Sequence, residues 1–297
     1  MTFGRYVMDK PKKVAFKEYL ALVKFSHTIF ALPFALIGYF LSVYLTDKTF
    51  SWYLFLLVLL CMVFARNAAM SFNRVTDRFI DKRNPRTANR EIPSGKIHPR
   101  NAFIFSMINA LLFIVTSFFI NKLVFYLSPI ALLILLGYSY TKRFTVLCHF
   151  VLGLGLALAP LGAFMAMTGQ WHSVPVIFSI IVFLWVSGFD ILYSIQDEDF
   201  DKEESLRSIP AVFGSKKARL ISAILHITVI LLVFRVGHIL ESGLFYWIGA
   251  VVFISLMVTQ HLVIKTSNAK SVNFAFATLN GLAGLLFAVF NILSYYF

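Results

Sequence analysis

The chain has 297 residues, 59% hydrophobic and only 14% charged, with 27 Lys/Arg against 14 Asp/Glu. Water-soluble domains run at about 45–50% apolar and about 25% charged, so a soluble enzyme, a DNA-binding protein, a disordered chain and a secreted disulfide scaffold are excluded, and the chain belongs in a membrane. The net charge of +13 would suit nucleic acid, but its placement answers to membrane orientation instead.

Residues 10–24 set Lys10, Lys12, Lys13, Lys17 and Lys24 among Val14, Phe16, Leu20 and Leu22. That mixture reads as an interfacial amphipathic helix drawn to the anionic inner leaflet, so 1–25 is an interfacial N-terminal segment; a topogenic flank explains the same charges equally well. A transmembrane helix needs about 20 mostly apolar residues. Nine runs qualify: 26–45, 51–72, 101–120, 122–140, 145–168, 173–196, 217–237, 243–264 and 272–295. The first continues through Phe40 and Tyr44 without a small-residue cleavage site and is retained. Strand-like alternation is absent, which excludes a β-barrel. The expected fold is all-α: a polytopic bundle of nine transmembrane helices, with 1–297 as a single domain.

With the N-terminus in the cytoplasm, 23 of the 27 Lys/Arg lie on the cytoplasmic side, Lys48 and Lys122 lie opposite, and Arg66 and Arg235 fall within spans. This follows the positive-inside rule and puts the C-terminus outside. Two cytoplasmic loops, 73–100 and 197–216, are long; long loops on one side of a compact bundle carry function.

Both long loops open on acidic residues. At the end of the second span, Asn73, Asp77 and Asp81 recur at four-residue spacing, which places them on one helical face about 6 Å apart. At the end of the sixth, Asp197 and Asp201 share a face, with Asp190 two turns above on nearly the same stripe and inside the bilayer. Six of the 14 acidic residues crowd into 197–204. Like charges at this spacing repel and carboxylates near lipid cost several kcal/mol, so something must neutralise them. Mg²⁺ suits oxygen donors shared with a substrate's phosphates. Two such columns on the same side can hold a diphosphate between them. They also hint at an internal repeat, span plus acidic loop, at spans 2 and 6.

Basic and aromatic residues follow. Arg86 and Arg90 are candidates to clamp a phosphate with their guanidinium forks. Arg66, two turns before Asn73 and inside the span, needs a partner and is a counter-ion candidate for the acidic stripe. Lys142 and Arg143, after Tyr138 and Tyr140, suit either a leaving diphosphate or an organic carboxylate. Of the seven histidines, His98, His172 and His238 read as loop or interface residues, and His27, near Lys24, is a site candidate. Cys61 and Cys148 sit in apolar runs and support neither a disulfide framework nor a metal cluster.

Asn73-x3-Asp77-x3-Asp81 paired with Asp197-x3-Asp201 resembles the two Asp-rich motifs of the UbiA-type intramembrane prenyltransferases. The resemblance extends through Asn84-Pro85-Arg86-Thr87-Ala88-Asn89-Arg90, Ile92-Pro93-Ser94-Gly95, Tyr138-x3-Lys142-Arg143, Gly188 to Tyr193, and Ser208 to Gly214, touching about residues 20–290. It is nearest to the bacterial 4-hydroxybenzoate polyprenyltransferases, including the menaquinone branch. The resemblance implies nine helices around a central cavity, with the site at the cytoplasmic face of the bacterial inner membrane. It implies Mg²⁺ on Asn73, Asp77, Asp81, Asp197 and Asp201, bridging a polyprenyl diphosphate. It matches Lys142 and Arg143 to positions near the diphosphate and the carboxylate of an aromatic acid, and Tyr138 to a cavity tyrosine; Tyr193 joins the substrate-binding set. The expected reaction joins the polyprenyl group to the aromatic ring, 4-hydroxybenzoate or a dihydroxynaphthoate, with Arg143 holding the acid group and Asp190 or Asp197 helping to remove a proton. A dry apolar cavity keeps water from the allylic cation. A secondary transporter is the rival outside enzymology, and a CDP-alcohol phosphotransferase the rival within it. The latter's continuous Asp-Gly and Ala-Arg run is missing here.

Overall fold

The structure, a computed structural model, describes residues 16–23, 30–264, 272 and 274–297. Most of the expected interfacial segment falls outside these residues, as do His27, Lys265 and Lys270; its described part is α1 (Phe16–Leu22). Leu22 is buried against Ile92 and Ile97, so α1 seals the underside of the loop that follows the first acidic motif.

Every described element is helical. Eight helices among the described residues are long and apolar enough to cross a bilayer, where nine were expected. The difference lies in the first span. Its helix, α2 (Leu32–Leu45), has 14 residues because Pro33 sits in its first turn, where a missing N–H is tolerated and the start is fixed. Then come α3 (Trp52–Thr76), the short α4 (Arg78–Arg83), α5 (Pro99–Ile120), α6 (Lys122–Thr141), α7 (Cys148–Thr168) and α8 (Ser173–Ser194). A 3-10 turn at Ile195–Asp197 leads into α9 (Glu198–Glu203). The chain continues through α10 (Ile209–Ile239) and α11 (Leu244–Val263), then a π-helical turn at Ala275–Leu279 and α12 (Asn280–Leu293).

α10 starts eight residues before the expected 217–237 span. Ser208 caps it by accepting from Ala211 N–H, and Pro210 lies in its first turn, both strong start signals. Its axis breaks at Gly214, whose φ of 81° is a conformation that favours glycine.

The helices alternate direction, so the links 46–51, Asn121, 169–172 and 240–243 gather at one face, and the two long ones (77–98 and 195–208) gather with 142–147 at the other. Exposed Trp52, Tyr53, Tyr126, Trp171 and Tyr296 rim the short-link face, the placement of an interfacial aromatic belt. α8 is the central scaffold, packed between α7 and α10. Its Phe178, Trp185 and Phe189 join Phe34, Phe253 and Phe287 in a solid core. α2 meets α7 backbone to backbone: a Cβ on Gly38 would stand 2.0 Å from the Pro160 carbonyl oxygen. On the other side of this contact α2, α3, α6 and α7 part around an apolar chamber of about 350 Å³.

Candidate active site

Two helix ends carry the site. α3 stops at Thr76 because Asp77 (φ −92°, ψ 7°) leaves helical geometry, and α4 restarts at once. The backbone bonds Asp77 N–H to Asn73 O (2.9 Å) and Asp81 N–H to Asp77 O (2.7 Å) continue through the break. The expected column of Asn73, Asp77 and Asp81 therefore survives, with Asn73 Nδ2 donating to Asp77 Oδ2 at 2.9 Å. Asp197 (φ −103°, ψ 7°) makes the same break ahead of α9.

Asp77, Asp81 and Asp197 line one polar cavity of about 100 Å³, together with Asn84, Arg86, Thr87, Arg90, Lys142 and Arg143. Each acidic motif residue there meets a cation. Arg86 forks onto Asp197 (Nε to Oδ1 2.9 Å, Nη2 to Oδ2 2.6 Å) and its Nη1 donates to the Tyr193 hydroxyl at 3.1 Å. Arg90 Nη1 donates to Asp81 Oδ1 at 2.7 Å. Arg143 bonds Asp77 Oδ1 at 3.2 Å and the Thr76 carbonyl at 2.7 Å. Lys142 Nζ lies 2.7 Å from Asp201 Oδ1, and the fully buried Asp201 also accepts from Ser208 Oγ at 2.7 Å. Of the five expected metal-ligating residues, three line the cavity. Asn73 reaches it through Asp77, and Asp201 through Lys142.

Burial pushes the Asp77 carboxyl above its ordinary value, and the Arg143 guanidinium offsets part of that. Burial works against the charges of Lys142 and Arg86, but Asp201 and Asp197 outweigh it and hold both above their ordinary values. These are the three named causes of shifted titration: desolvation, opposite charge and hydrogen bonding.

The fit to Mg²⁺ rests on Asp81. Its Oδ2 is buried and has no hydrogen-bond partner among the described residues, a costly state unless a cation or water completes it. The donors are carboxylate and amide oxygens, the set Mg²⁺ favours. In the arrangement observed, no three His, Cys, Asp or Glu side chains among the described residues converge closely enough to hold one ion; the protein's own cations occupy the carboxylates.

Arg66 and Tyr138 sit elsewhere. They line the polar end of the apolar chamber with Met70, while Val58, Ile120 and Val124 line its far end. From Met70 to Asp77 on α3, or from Tyr138 to Lys142 on α6, the lining changes from chamber to polar cavity within two turns, about 6–10 Å of rise. Asp190 and Asp77 both lie close enough to act electrostatically on the Tyr138 hydroxyl. Asp190 itself contacts His149, with Nδ1 2.7 Å from Oδ2.

Two residues at the site were given no role by sequence reasoning. Asn84 donates to Asp197 Oδ1 at 3.1 Å and accepts Arg86 N–H at 2.9 Å, pre-orienting the guanidinium. Arg74, adjacent to Asn73, is buried close to Asp81, Arg90 and Tyr138. His98 and His172 cap α5 and α8, the loop role expected of them.

A many-helix membrane bundle with paired acidic helix ends, their counter-cations and an adjoining dry chamber defines a membrane protein built to handle an anionic head group on an apolar tail. The model of the UbiA prenyltransferase family matches residues 31–289, and the chain belongs to that family. It is 31% identical over 237 residues to 4-hydroxybenzoate octaprenyltransferase of Aliivibrio fischeri (strain MJ11), covering 80% of this chain and 82% of that one. A protein of the same name from Vesicomyosocius okutanii subsp. Calyptogena okutanii (strain HA) is 31% identical over 239 residues, 79% of this chain and 85% of that one. Among solved structures, the apo structure of a UbiA homolog from Aeropyrum pernix K1 superposes with a TM-score of 0.81 at 29% identity, covering 90% and 97% of the two chains. A UbiA homolog from Archaeoglobus fulgidus bound to DMAPP and Mg²⁺ shares the fold, with a TM-score of 0.69 at 20% identity, covering 93% and 98%.

Proposed function

We propose that this protein transfers a polyprenyl group from polyprenyl diphosphate to the ring of an aromatic acid, 4-hydroxybenzoate, in an Mg²⁺-dependent reaction of quinone biosynthesis. The observation that carries the reading is the junction itself: a cavity lined by Asp77, Asp81 and Asp197 opening within two helical turns of an apolar chamber. Along α6 the chamber runs from Val124 to Tyr138, about 21 Å of helix, room for several isoprene units. The names of the relatives, and the Mg²⁺ and DMAPP of the Archaeoglobus homolog, support the same chemistry.

Asp77, Asp81 and Asp197 would hold Mg²⁺, with Asn73 and Asp201 behind them; when bound, the metal withdraws charge from the diphosphate leaving group. The rest falls to the chain's own residues. Arg86, Arg90 and Lys142 line the same cavity and, with the carboxylates given to the metal, would take phosphate oxygens. Arg143 holds the acid group of the acceptor, and Tyr193, bonded to Arg86, fixes the position of that guanidinium. The chamber excludes water while the prenyl C1–O bond breaks and the ring carbon bonds to C1. Asp197, one of the residues that would hold the metal, is then not free to take a proton, which leaves Asp190 as the carboxylate for that role.

The acidic ends and the long loops, with the Lys/Arg they carry, share one face, which the positive-inside rule assigns to the cytoplasm. The N-terminus and the site then face the cytoplasm of a bacterial inner membrane. Membranes containing the protein, supplied with Mg²⁺, geranyl or longer prenyl diphosphates and a panel of aromatic acids, should form prenylated hydroxybenzoate by mass spectrometry, and EDTA should stop it. Product from no aromatic acid, together with solute uptake into liposomes independent of prenyl diphosphate, would establish a transporter instead.

A further inference from the structure

His149 was not among the candidates read from the sequence, yet it occupies a built position. It lies in the first turn of α7 and is 3% exposed. Its Nε2 accepts the backbone N–H of Ile209 at 3.3 Å. An N–H can only donate, so Nε2 carries no proton, and the proton of the neutral ring sits on Nδ1. Nδ1 faces Asp190 Oδ2 at 2.7 Å and donates to it. Asp190 keeps 20% of its side chain exposed, sits on α8 two turns before Asp197, and lies near enough to act electrostatically on Tyr138, which lines the chamber at its polar end.

The anchoring is shared with the acidic site. Ser208, next to Ile209, donates to Asp201, and Arg207 N–H donates to the Lys142 carbonyl at 2.8 Å. Three consecutive residues at the start of α10 therefore set the distance between Asp201, Lys142 and the His149–Asp190 pair.

We infer that His149 is a positioning residue that holds Asp190 as the proton acceptor for the aromatic substrate; the inference rests on the prenyl-transfer reading above. The step balances without a further reagent. The ring carbon's electron pair forms the bond to prenyl C1, and the C1–O pair leaves with the diphosphate. The ring then loses the proton from the substituted carbon to the Asp190 carboxylate, its C–H pair restoring aromaticity. His149 keeps its proton on Nδ1 throughout and fixes which carboxylate oxygen is free. Holding a base in reach is a large part of what a general base contributes, about 10²–10⁴-fold in all.

The test uses the full-length protein in nanodiscs with geranyl diphosphate, Mg²⁺ and 4-hydroxybenzoate. His149→Phe, which keeps a ring but no donor, should lower kcat about 30-fold or more, with the geranyl diphosphate–Mg²⁺ Kd within about twofold of wild type by calorimetry. His149→Asn, which restores a donor toward Asp190, should recover most of that loss. Asp190→Asn combined with His149→Phe should be no worse than Asp190→Asn alone. Nitrogen NMR of histidine-labelled protein, with the His149 signal assigned by its loss in His149→Phe, should show the Nδ1–H tautomer. An Nε2–H tautomer, an asparagine no better than phenylalanine, or fully additive losses in the double variant each overturn the inference. Wild-type protein that prenylates no aromatic acid overturns the functional reading instead, and the tautomer still reports on the pair.

Discussion

The α3–α4 and α8–α9 corners share one backbone device. In each, an aspartate with ψ of 7° closes a membrane span, directly after α3 in one and at the end of the 3-10 turn that follows α8 in the other, and a six-residue helix follows. Their surroundings differ. Asp197 is 9% exposed and Asp201 fully buried, whereas the side chain of Asp77 is 25% exposed. α8 runs through the solid core while α3 borders the chamber and lipid. The two corners are thus alike in backbone and unlike in setting, one anchored on both sides and one open toward the chamber.

That contrast is most severely tested by removing one carboxylate from each corner. Asp77→Ala and Asp197→Ala should both reduce Mg²⁺-dependent prenyl transfer by about 10³-fold or more, since each takes away several kcal/mol of transition-state charge stabilisation. Their stabilities should diverge. Asp197→Ala strands Arg86 and Asn84 and should cost about 1–3 kcal/mol, the lower part of the range for breaking a buried pair because Arg86 stays partly solvated. Asp77→Ala leaves Arg143 half in water and should leave thermal unfolding in detergent nearly unchanged. Equal destabilisation would show that the two corners are not the fixed and open halves described here.

A smaller effect is expected from Arg86, a cation that crosses from the first corner's loop to the motif carboxylate of the second corner. Arg86→Ala should raise the donor KM about tenfold or more, and Arg86→Lys should restore little of it, because an ammonium cannot reproduce the two-pronged contact. Full rescue by lysine would reduce Arg86 to a point charge. Arg143, by contrast, belongs to the open corner; Arg143→Ala should raise the acceptor KM well above the donor KM, and the reverse pattern would assign it to the diphosphate.

How much of this was legible depended on whether a signal was local. Asp77 and Asp81 are one helical turn apart, so periodicity alone put them on one face. Arg86, Arg90, Lys142 and Arg143 were picked out by charge and location, and all four line the polar cavity. What spacing could not reveal is that they rest on the carboxylates themselves. His149 is 41 residues from Asp190 and Asn84 is 113 from Asp197; no local pattern encodes either contact, which arises only when α7 packs on α8 and the loop folds under the bundle. The first span came out short for a different reason: hydropathy reads the apolar run 26–45 whole, whereas α2 begins at Leu32 with Pro33 in its first turn.

The smallest effect expected concerns the link between the corners at their wet edge. Arg83, the last residue of α4, forks onto Glu204 just past α9, with Nε to Oε1 at 2.6 Å and Nη2 to Oε2 at 2.5 Å. The contact is bidentate, but the Arg83 side chain is 53% exposed, so water and salt screen it. Arg83 holds the Glu204 carboxyl below its ordinary value of 4.5. A depressed carboxyl stabilises the fold in full above that ordinary value and loses its contribution as pH falls through the lowered one. Wild type should therefore exceed Arg83→Ala slightly in melting temperature at pH 7 and low salt. The two should converge on acidification below about pH 4, and also at pH 7 in about 1 M salt, where the screening length is near 3 Å. Turnover should change by less than about twofold throughout, as for other exposed pairs. A large loss of turnover in Arg83→Ala would mean that the gap between the corners is set at the surface by this ion pair, and not in the interior by the start of α10.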